Sequence, residues 1–261
     1  MNLSIDLQLI FLGTGTSQGI PTVGCTCAVC TSNDVRDRRL RSSVVIRMGE
    51  TSLLIDTGPD LRQQLLSNNI TDVDAILFTH EHNDHVIGLD DIRPLYFRRR
   101  SNIPTYALDR VHAELKQRFS YMFGNDVYPG VAQIDTQDIH QDTRTFSIEN
   151  IDVTPIGIIH GNLPILGYRF GTMAYITDAS QVDDSQLAKL QGLDVVVINA
   201  LQRKDHHSHF TLDQALTFIE TIGAKRAYLT HLSHLMGSHS DLELELPDHV
   251  HVAYDGLIIS V

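Results

Sequence analysis

The sequence predicts an α/β fold of four layers, in which two sheets pack face to face and helices cover both outer faces. Strand-like and helix-like segments are interspersed along the chain, and they form two similar halves. Several of the strand-like segments end in His or Asp. Two such halves fit a sandwich better than a single doubly wound sheet, and we predict one domain over residues 1–261.

The first half begins with an apolar strand at 7–12 and a long loop at 13–41. Glycines within 13–19 favour a close backbone passage over a nucleotide-binding turn, because no helix follows them. Apolar spacing then predicts strands at 44–48, 52–56 and 75–78, a helix starting at 61–66 and another at 109–123.

The second half has the same alternation. Its predicted strands are 145–148, 151–159, 166–170, 174–177, 195–198 and 227–229, and its predicted helices are 185–190 and 212–222. The tail, 250–253 and 257–261, is predicted to form a hairpin with Asp255-Gly256 at the turn.

Charge and hydropathy exclude several classes of partner. The formal net charge of −12 argues against a nucleic-acid partner, which requires a basic footprint. The basic run Arg98–Arg100 is interpreted as the solvated end of a helix. No apolar run is long enough to cross a membrane, and the first residues lack the pattern of a signal peptide, so we expect a cytoplasmic protein.

All three cysteines, Cys25, Cys27 and Cys30, fall in the long loop, which we define as the cysteine loop, residues 13–41. An odd, clustered set suits a disulfide framework poorly. Three thiolates in C-x-C-x-x-C spacing suit a tetrahedral zinc ion with a fourth ligand from elsewhere. Ordinary loop cysteines and a redox C-x-x-C pair are the alternatives, although a redox pair normally starts a helix.

The segment 79–85, T-H-E-H-N-D-H, is the strongest signal and follows a predicted buried strand. His80 and His82 can face one ion, and Asp84 and His85 can face a second. Ions about 3.5–4 Å apart are the usual arrangement of a dinuclear hydrolase. A solvated turn that happens to be rich in histidine is the alternative.

A dinuclear site needs further ligands, which we expect at other strand ends. His160, Asp178 and His231 each close an apolar segment, and the Asp178 carboxylate could bridge two cations. Asp56 also ends a strand and could be a ligand or could orient a ligand histidine.

Two histidine clusters near the end of the chain supply the remaining candidates. One of His231 and His234 can serve the dinuclear site, which leaves the other as the fourth ligand of the cysteines. His209 directly precedes a predicted helix and could give a proton to a leaving oxygen. Its neighbours His206 and His207 are predicted to be surface residues.

These motifs together resemble the metallo-β-lactamase superfamily and, within it, the PhnP-type phosphodiesterases, a branch related to RNase Z. The resemblance rests on 12–21, the cysteine motif 24–30, 54–58, 79–85, Thr177-Asp178 and 230–234. It implies an αββα metallo-β-lactamase sandwich with the metals at one edge.

The resemblance also implies a role for each residue. One ion would be held by His80, His82 and His160. The other would be held by Asp84, His85 and His231, with Asp178 bridging the two. A structural zinc would be bound by Cys25, Cys27, Cys30 and His234. His209 matches the family's catalytic histidine, and Asp84 would also orient the attacking hydroxide.

The implied function is a phosphodiesterase that uses two zinc or manganese ions, with a bridging hydroxide attacking a small, cyclic ribose phosphodiester. The alternatives are an RNase Z-type nuclease, a thioester or lactone hydrolase on the same metals, and a non-enzymatic metal-storing protein. Relatives suggest a homodimer. The basic segment from Arg93 to Arg100 has no role in this hypothesis.

Overall fold

The computed structural model describes residues 6–124 and 130–261. Residues 1–5, where we expect no signal peptide, lie outside the described residues, as do residues 125–129. The single-domain assignment for 1–261 therefore stays a prediction.

Two seven-stranded sheets are formed by the described residues. In the first sheet, consecutive neighbours are β1 (Leu7–Gly13), β2 (Ser43–Met48), β3 (Thr51–Ile55), β4 (Ala75–Leu77), β5 (Ile103–Ala107) and β6 (Ile134–Asp138). In the second sheet they are β7 (Phe146–Ile148), β8 (Ile151–His160), β9 (Leu163–Phe170), β10 (Met173–Ile176), β11 (Val195–Asn199), β12 (Arg226–Thr230) and β13 (Val250–Val252). The last strand, β14 (Ile258–Ser260), returns to the first sheet beside β1.

The two sheets share one plan. Each starts with antiparallel pairs and continues with three parallel pairs, β3 to β6 in the first sheet and β10 to β13 in the second. The helices are α1 (Leu61–Ser67), α2 (Asn83–Val86), α3 (Arg93–Arg99), α4 (Asp109–Arg118), α5 (Asp184–Leu187), α6 (Leu212–Ile222) and α7 (His239–Glu245). The two similar halves predicted from the sequence are therefore confirmed.

Three apolar layers hold this arrangement together. Between the sheets, Phe11, Tyr168 and Tyr175 are fully buried among aliphatic side chains of both sheets. A second layer packs α1, α3 and α4 on the outer face of the first sheet, and a third packs α6 and α7 on the second. This is the predicted αββα sandwich, and burial of apolar surface is its main stabilising term.

The predicted C-terminal hairpin is wrong. β13 pairs with β12 in the second sheet, whereas β14 pairs with β1 in the first. The chain crosses between the sheets at Asp255, whose buried carboxylate accepts hydrogen bonds from Thr14 Oγ1 and Leu40 N, both at 2.7 Å. Burial raises the pKa of Asp255 to about 6. The turn-like Asp-Gly pair is thus an anchor between two layers.

The basic run does lie at a helix end, as predicted, because α3 ends at Arg99 and Arg100 caps it in a left-handed conformation. Arg99 donates hydrogen bonds to the Val73 carbonyl and to Asp74, which precede β4. The histidine motif follows β4, so the basic run lies at the opposite edge of the sheet from it. No helix among the described residues is long and apolar enough to cross a membrane.

Candidate metal centre

The predicted metal ligands meet where strands of both sheets end. Asp56 follows β3, Asp178 comes just after β10, and His231 follows β12. All three have left-handed backbone, with φ of 63°, 59° and 56°. This conformation is uncommon for residues other than glycine and clusters at functional sites. The strained strand ends therefore coincide with the candidate centre.

The first group of converging ligand atoms contains His80, His82 and His160, with these atoms all within 4.8 Å of one another. His80 Nε2 lies 3.0 Å from His82 Nδ1. His82 immediately precedes the single turn of α2, so the chain turns between the two histidines and the next ligands. The structure thus places together the three residues expected to bind one ion.

Asp178 links this group to the remaining residues. Its Oδ2 lies 3.4 Å from His85 Nε2, and its Oδ1 lies 3.3 Å from His231 Nε2. Asp84 Oδ2 lies 3.3 Å from His85 Nε2. His80, His85 and Asp178 form a second group of ligand atoms within 4.8 Å. The Asp178 carboxylate therefore lies between the two sets of histidines, where a bridging ligand is expected.

His209 borders the same space. Its Nε2 lies 3.4 Å from Asp178 Oδ1, and it forms a third group of ligand atoms with His160 and Asp178. Thr211 caps α6 through a reciprocal bond pair with Gln214, which fixes the chain just after His209. Of its neighbours predicted to be at the surface, His207 is exposed and His206 is only partly exposed.

A carboxylate and a hydroxyl orient two of the histidines. His85 Nδ1 donates to Asp56 Oδ2 at 2.7 Å. Thr79 Oγ1 donates to the same carboxylate, so it accepts from His80 Nδ1 at 2.9 Å. Asp56 is therefore an orienting group for a ligand histidine, one of the two roles that its position suggested.

Two further histidines are oriented in the same way. His160 Nδ1 donates to the Ser208 carbonyl at 2.7 Å. Ser42 Oγ donates to the Gly15 carbonyl and so accepts from His231 Nδ1 at 3.1 Å. Each of these four rings uses Nδ1 for a hydrogen bond, which directs Nε2 towards the centre, where the neutral ring offers its lone pair to a metal. The sequence gives no signal for Ser42 or for the Ser208 carbonyl.

The surroundings of two of these inward-facing nitrogens indicate whether the centre suits a cation. His85 Nε2 and His231 Nε2 are fully buried and have no hydrogen-bond partner within residues 6–124 and 130–261. Buried polar atoms without a partner are rare and costly. A divalent cation would satisfy both, and imidazole with carboxylate ligands suits zinc and manganese. The residues therefore fit a metal centre.

The electrostatics agree with this conclusion. Burial, with His85 next to it, holds the pKa of His80 well below its usual value. Burial opposes a charge on His85 as well, but Asp178, Asp84 and Asp56 outweigh it and hold the His85 pKa well above 6.5. The carboxylates thus favour positive charge at this point. Burial, then His231, lowers the pKa of His209 to about 3, so its free imidazole is neutral at pH 7.

The cysteine loop forms a separate cluster. The ligand atoms of Cys25, Cys27, Cys30 and His234 all lie within 4.8 Å of one another. His234 Nδ1 is 3.3 Å from Cys25 Sγ and 3.4 Å from Cys27 Sγ, close to the separation of about 3.5 Å that tetrahedral zinc imposes on sulfur and nitrogen ligands. Of the pair at 231 and 234, His234 is the one at the cysteines.

A family description, Beta-lactamase superfamily domain, matches residues 51–232, which is more than half of the chain. The protein belongs to this superfamily and has the metallo-β-lactamase fold. Within it, the chain is similar to the crystal structure of a new diphosphatase from the PhnP family, with 40% identity, a TM-score of 0.91 and coverage of 98% of this chain and 97% of that one.

Two other relatives define the limits of this similarity. An octanoyltransferase of Porphyromonas gingivalis is 41% identical over 253 residues, which are 96% of this chain but 51% of that protein. The chain thus spans about half the length of this relative. Human short-form tRNase Z has a TM-score of 0.67 at 22% identity, covering 97% of this chain and 99% of that one, which shows a shared fold.

Proposed function

We propose that the protein is a dinuclear metal-dependent phosphodiesterase that acts on a small phosphodiester. One observation carries this proposal: four imidazoles are hydrogen-bonded through Nδ1 to groups around the centre, and their Nε2 atoms converge around the Asp178 carboxylate. Two divalent cations bound there would stabilise charge on phosphoryl oxygens and lower the pKa of water.

Each residue has a distinct task in this scheme. His80, His82 and His160 would hold one ion, His85, Asp84 and His231 the other, and Asp178 both. Asp84 is partly exposed, so it can also accept a hydrogen bond from the attacking water and orient it.

His209 would act on the other side of the reacting phosphorus. Its Nε2 faces the centre at Asp178, and its Nδ1 has a contact of 3.5 Å with Ser208 Oγ, longer than the 2.7 Å bond that holds His85. The free imidazole is neutral, so His209 would first take up a proton from solvent, which the negative charge of a bound substrate would favour. His209 could then give this proton to the departing oxygen.

A small substrate is favoured over RNA. The basic run at the end of α3 is tied to residues that precede β4, at the far edge of the sheet from the centre. A chain of charge −12 with its basic cluster in that place offers little attraction to a polyanion. A cyclic ribose phosphate is the substrate that we favour within this class.

Diphosphate hydrolysis is the second candidate, because the PhnP-family structure that is 40% identical to this chain is described as a diphosphatase. Both substrates require attack on phosphorus by water, so the same residues would serve. We also propose zinc at the cysteine cluster, zinc or manganese at the dinuclear centre, and a homodimer. The cytoplasmic location stays a prediction.

Substrate profiling tests the proposal. The purified protein is assayed with bis(p-nitrophenyl) phosphate, a cyclic ribose phosphate, a nucleoside diphosphate, structured RNA and a thioester, alongside elemental analysis. We expect diester cleavage that His80→Ala abolishes and that the surface variant His249→Ala retains. Bound metal without turnover of any phosphorus ester, or preferred turnover of the thioester, would contradict the proposal.

A further inference from the structure

His82 differs from the other histidines of the centre in what holds it. His80, His85, His160 and His231 each donate from Nδ1 to a carboxylate, hydroxyl or carbonyl. His82 instead turns Nδ1 towards His80, and its side chain is exposed. Among the described residues, it has no hydrogen-bond partner outside the proposed ligand set. Its position must therefore depend on the backbone on either side of it.

Two arginines of α4 hold the residues on either side of His82. Arg118 Nη1 donates to the carbonyl of Glu81 at 2.6 Å and to Asn83 Oδ1 at 3.0 Å. Glu81 and Asn83 are the residues immediately before and after His82. Arg110 Nη1 pairs with the Glu81 carboxylate. The flanks of His82 are thus fixed from outside the loop that carries it.

Arg110 also connects the two halves of the molecule at this point. Its Nη2 donates to the carbonyl of Pro164 in β9. Pro164 pairs with Ile159 in β8, next to His160. One guanidinium therefore joins the loop that bears His80 and His82 to the hairpin that bears His160, and these three histidines come from both sheets.

We propose that Arg110 and Arg118 are positioning residues for His82, whose ring has a hydrogen bond only to another proposed ligand among the described residues. Ligand groups need to be held to within about 0.5 Å of the productive geometry, and groups that orient metal ligands typically change metal affinity by about 10–100-fold when removed. The inference rests on the proposed metal set and assigns the arginines no contact with substrate.

The test compares metal affinity in Arg110→Ala, Arg118→Ala and Arg118→Lys. Arg99→Ala is the matched control, because Arg99 also binds a carbonyl and a carboxylate and its side chain is 24% exposed, against 30% and 28% for Arg110 and Arg118. Metal-free protein is titrated with cobalt(II), and visible absorption separates ions at thiolates from ions at imidazoles. The kcat and KM for bis(p-nitrophenyl) phosphate are measured at low and at saturating cobalt.

We expect each alanine variant to bind one imidazole-held ion about tenfold more weakly, with kcat restored at saturating cobalt and KM unchanged. Arg118→Lys, which keeps a donor for the Glu81 carbonyl, should recover most of the affinity, and Arg99→Ala should match the wild type. Unchanged affinity in both alanine variants, or an equal loss in Arg99→Ala, would overturn the inference. If Arg118→Ala does not fold, the other two variants decide.

Failure of the proposed function gives a different pattern. A wild-type protein that binds no cobalt outside the cysteine cluster refutes both the metal set and the arginine inference. A wild-type protein that binds two imidazole-held ions but cleaves no phosphodiester refutes only the function, and the affinities of the variants still decide the role of the arginines.

Discussion

The candidate dinuclear centre and the cysteine cluster bring candidate metal ligands together in different ways. The centre draws its residues from the ends of strands in both sheets, and most of them are fully buried. The cysteine cluster takes three ligands from one loop and adds His234 alone from the second half. Carboxylates and oriented imidazoles define the first, whereas backbone N–H groups of Thr22 and Cys30 point at sulfur atoms in the second.

This difference indicates what each site contributes. The strands and the layers between them build the centre, so its ligands are prearranged and their loss should affect chemistry more than folding. The loop around Cys25, Cys27 and Cys30 has only a small apolar cluster with Ile20 and Val29. A bound ion would therefore contribute to the order of the loop itself.

Asp178→Asn should produce the largest effect on the centre. Asparagine tolerates the left-handed backbone at this position and keeps the volume, but it removes the charge that would bridge two ions. We expect kcat/KM for a phosphodiester to fall by about 10³-fold. Elemental analysis should show ions lost from the centre while zinc at the cysteines remains. Wild-type turnover would show that Asp178 does not bridge.

His209→Ala should lower kcat by at least about 10²-fold because it removes the proposed proton donor. The metal content should remain that of the wild type, since His209 is not assigned as a ligand. Steady-state kinetics and elemental analysis on the same preparation check both statements. If metal is lost together with activity, His209 is a ligand and the assignment of roles must change.

Asp56→Asn should have a smaller effect, because it acts through His85. Asparagine again tolerates the backbone, but its amide can no longer offer two carboxylate oxygens to His85 and Thr79. We expect metal affinity at the centre to fall by about 10–100-fold, with activity restored by added metal. A metal titration of activity measures this, and full activity without added metal would contradict it.

Cys27→Ser should have the smallest effect on turnover of these variants, and its main effect should be a lower thermal stability. Loss of the proposed zinc should lower Tm by about 5 °C or more, while diester turnover at low temperature stays within about threefold of the wild type. Differential scanning calorimetry with and without zinc checks the shift. A variant that lacks zinc at this cluster and melts like the wild type would show that the ion does not order the loop.

Much of the fold and of this centre follows from local pattern. The histidine motif and the residues at 160, 178 and 231 can be found because apolar strands end at them, and parallel strands in one sheet end at a common edge. A strand such as β11 can also be predicted from its continuous apolar run, because both of its faces are buried.

Other features depend on tertiary partners that local pattern does not reveal. β5 contains Pro104 and Thr105, β6 is mostly polar, and α3 begins with Arg93 and a proline. None of these three sequences shows a clear spacing of apolar residues typical of a strand or a helix. Leu163 begins β9 earlier than predicted because it pairs with β8.

The tail and the arginines of α4 show the same limit. The tail resembles a hairpin in sequence, but its strands pair with β12 and with β1, and Asp255 is anchored to the cysteine loop between β1 and β2. Arg110 and Arg118 look like ordinary surface charges of a helix until their partners in the histidine loop are known.

Anomalous diffraction from crystals grown with zinc or manganese tests the central claim most directly. We expect two peaks about 3.5–4 Å apart, with Asp178 between them. One peak should lie within bonding distance of His80, His82 and His160, and the other within bonding distance of His85 and His231. No peak at this edge, or a single peak that His231 does not reach, would contradict the dinuclear centre.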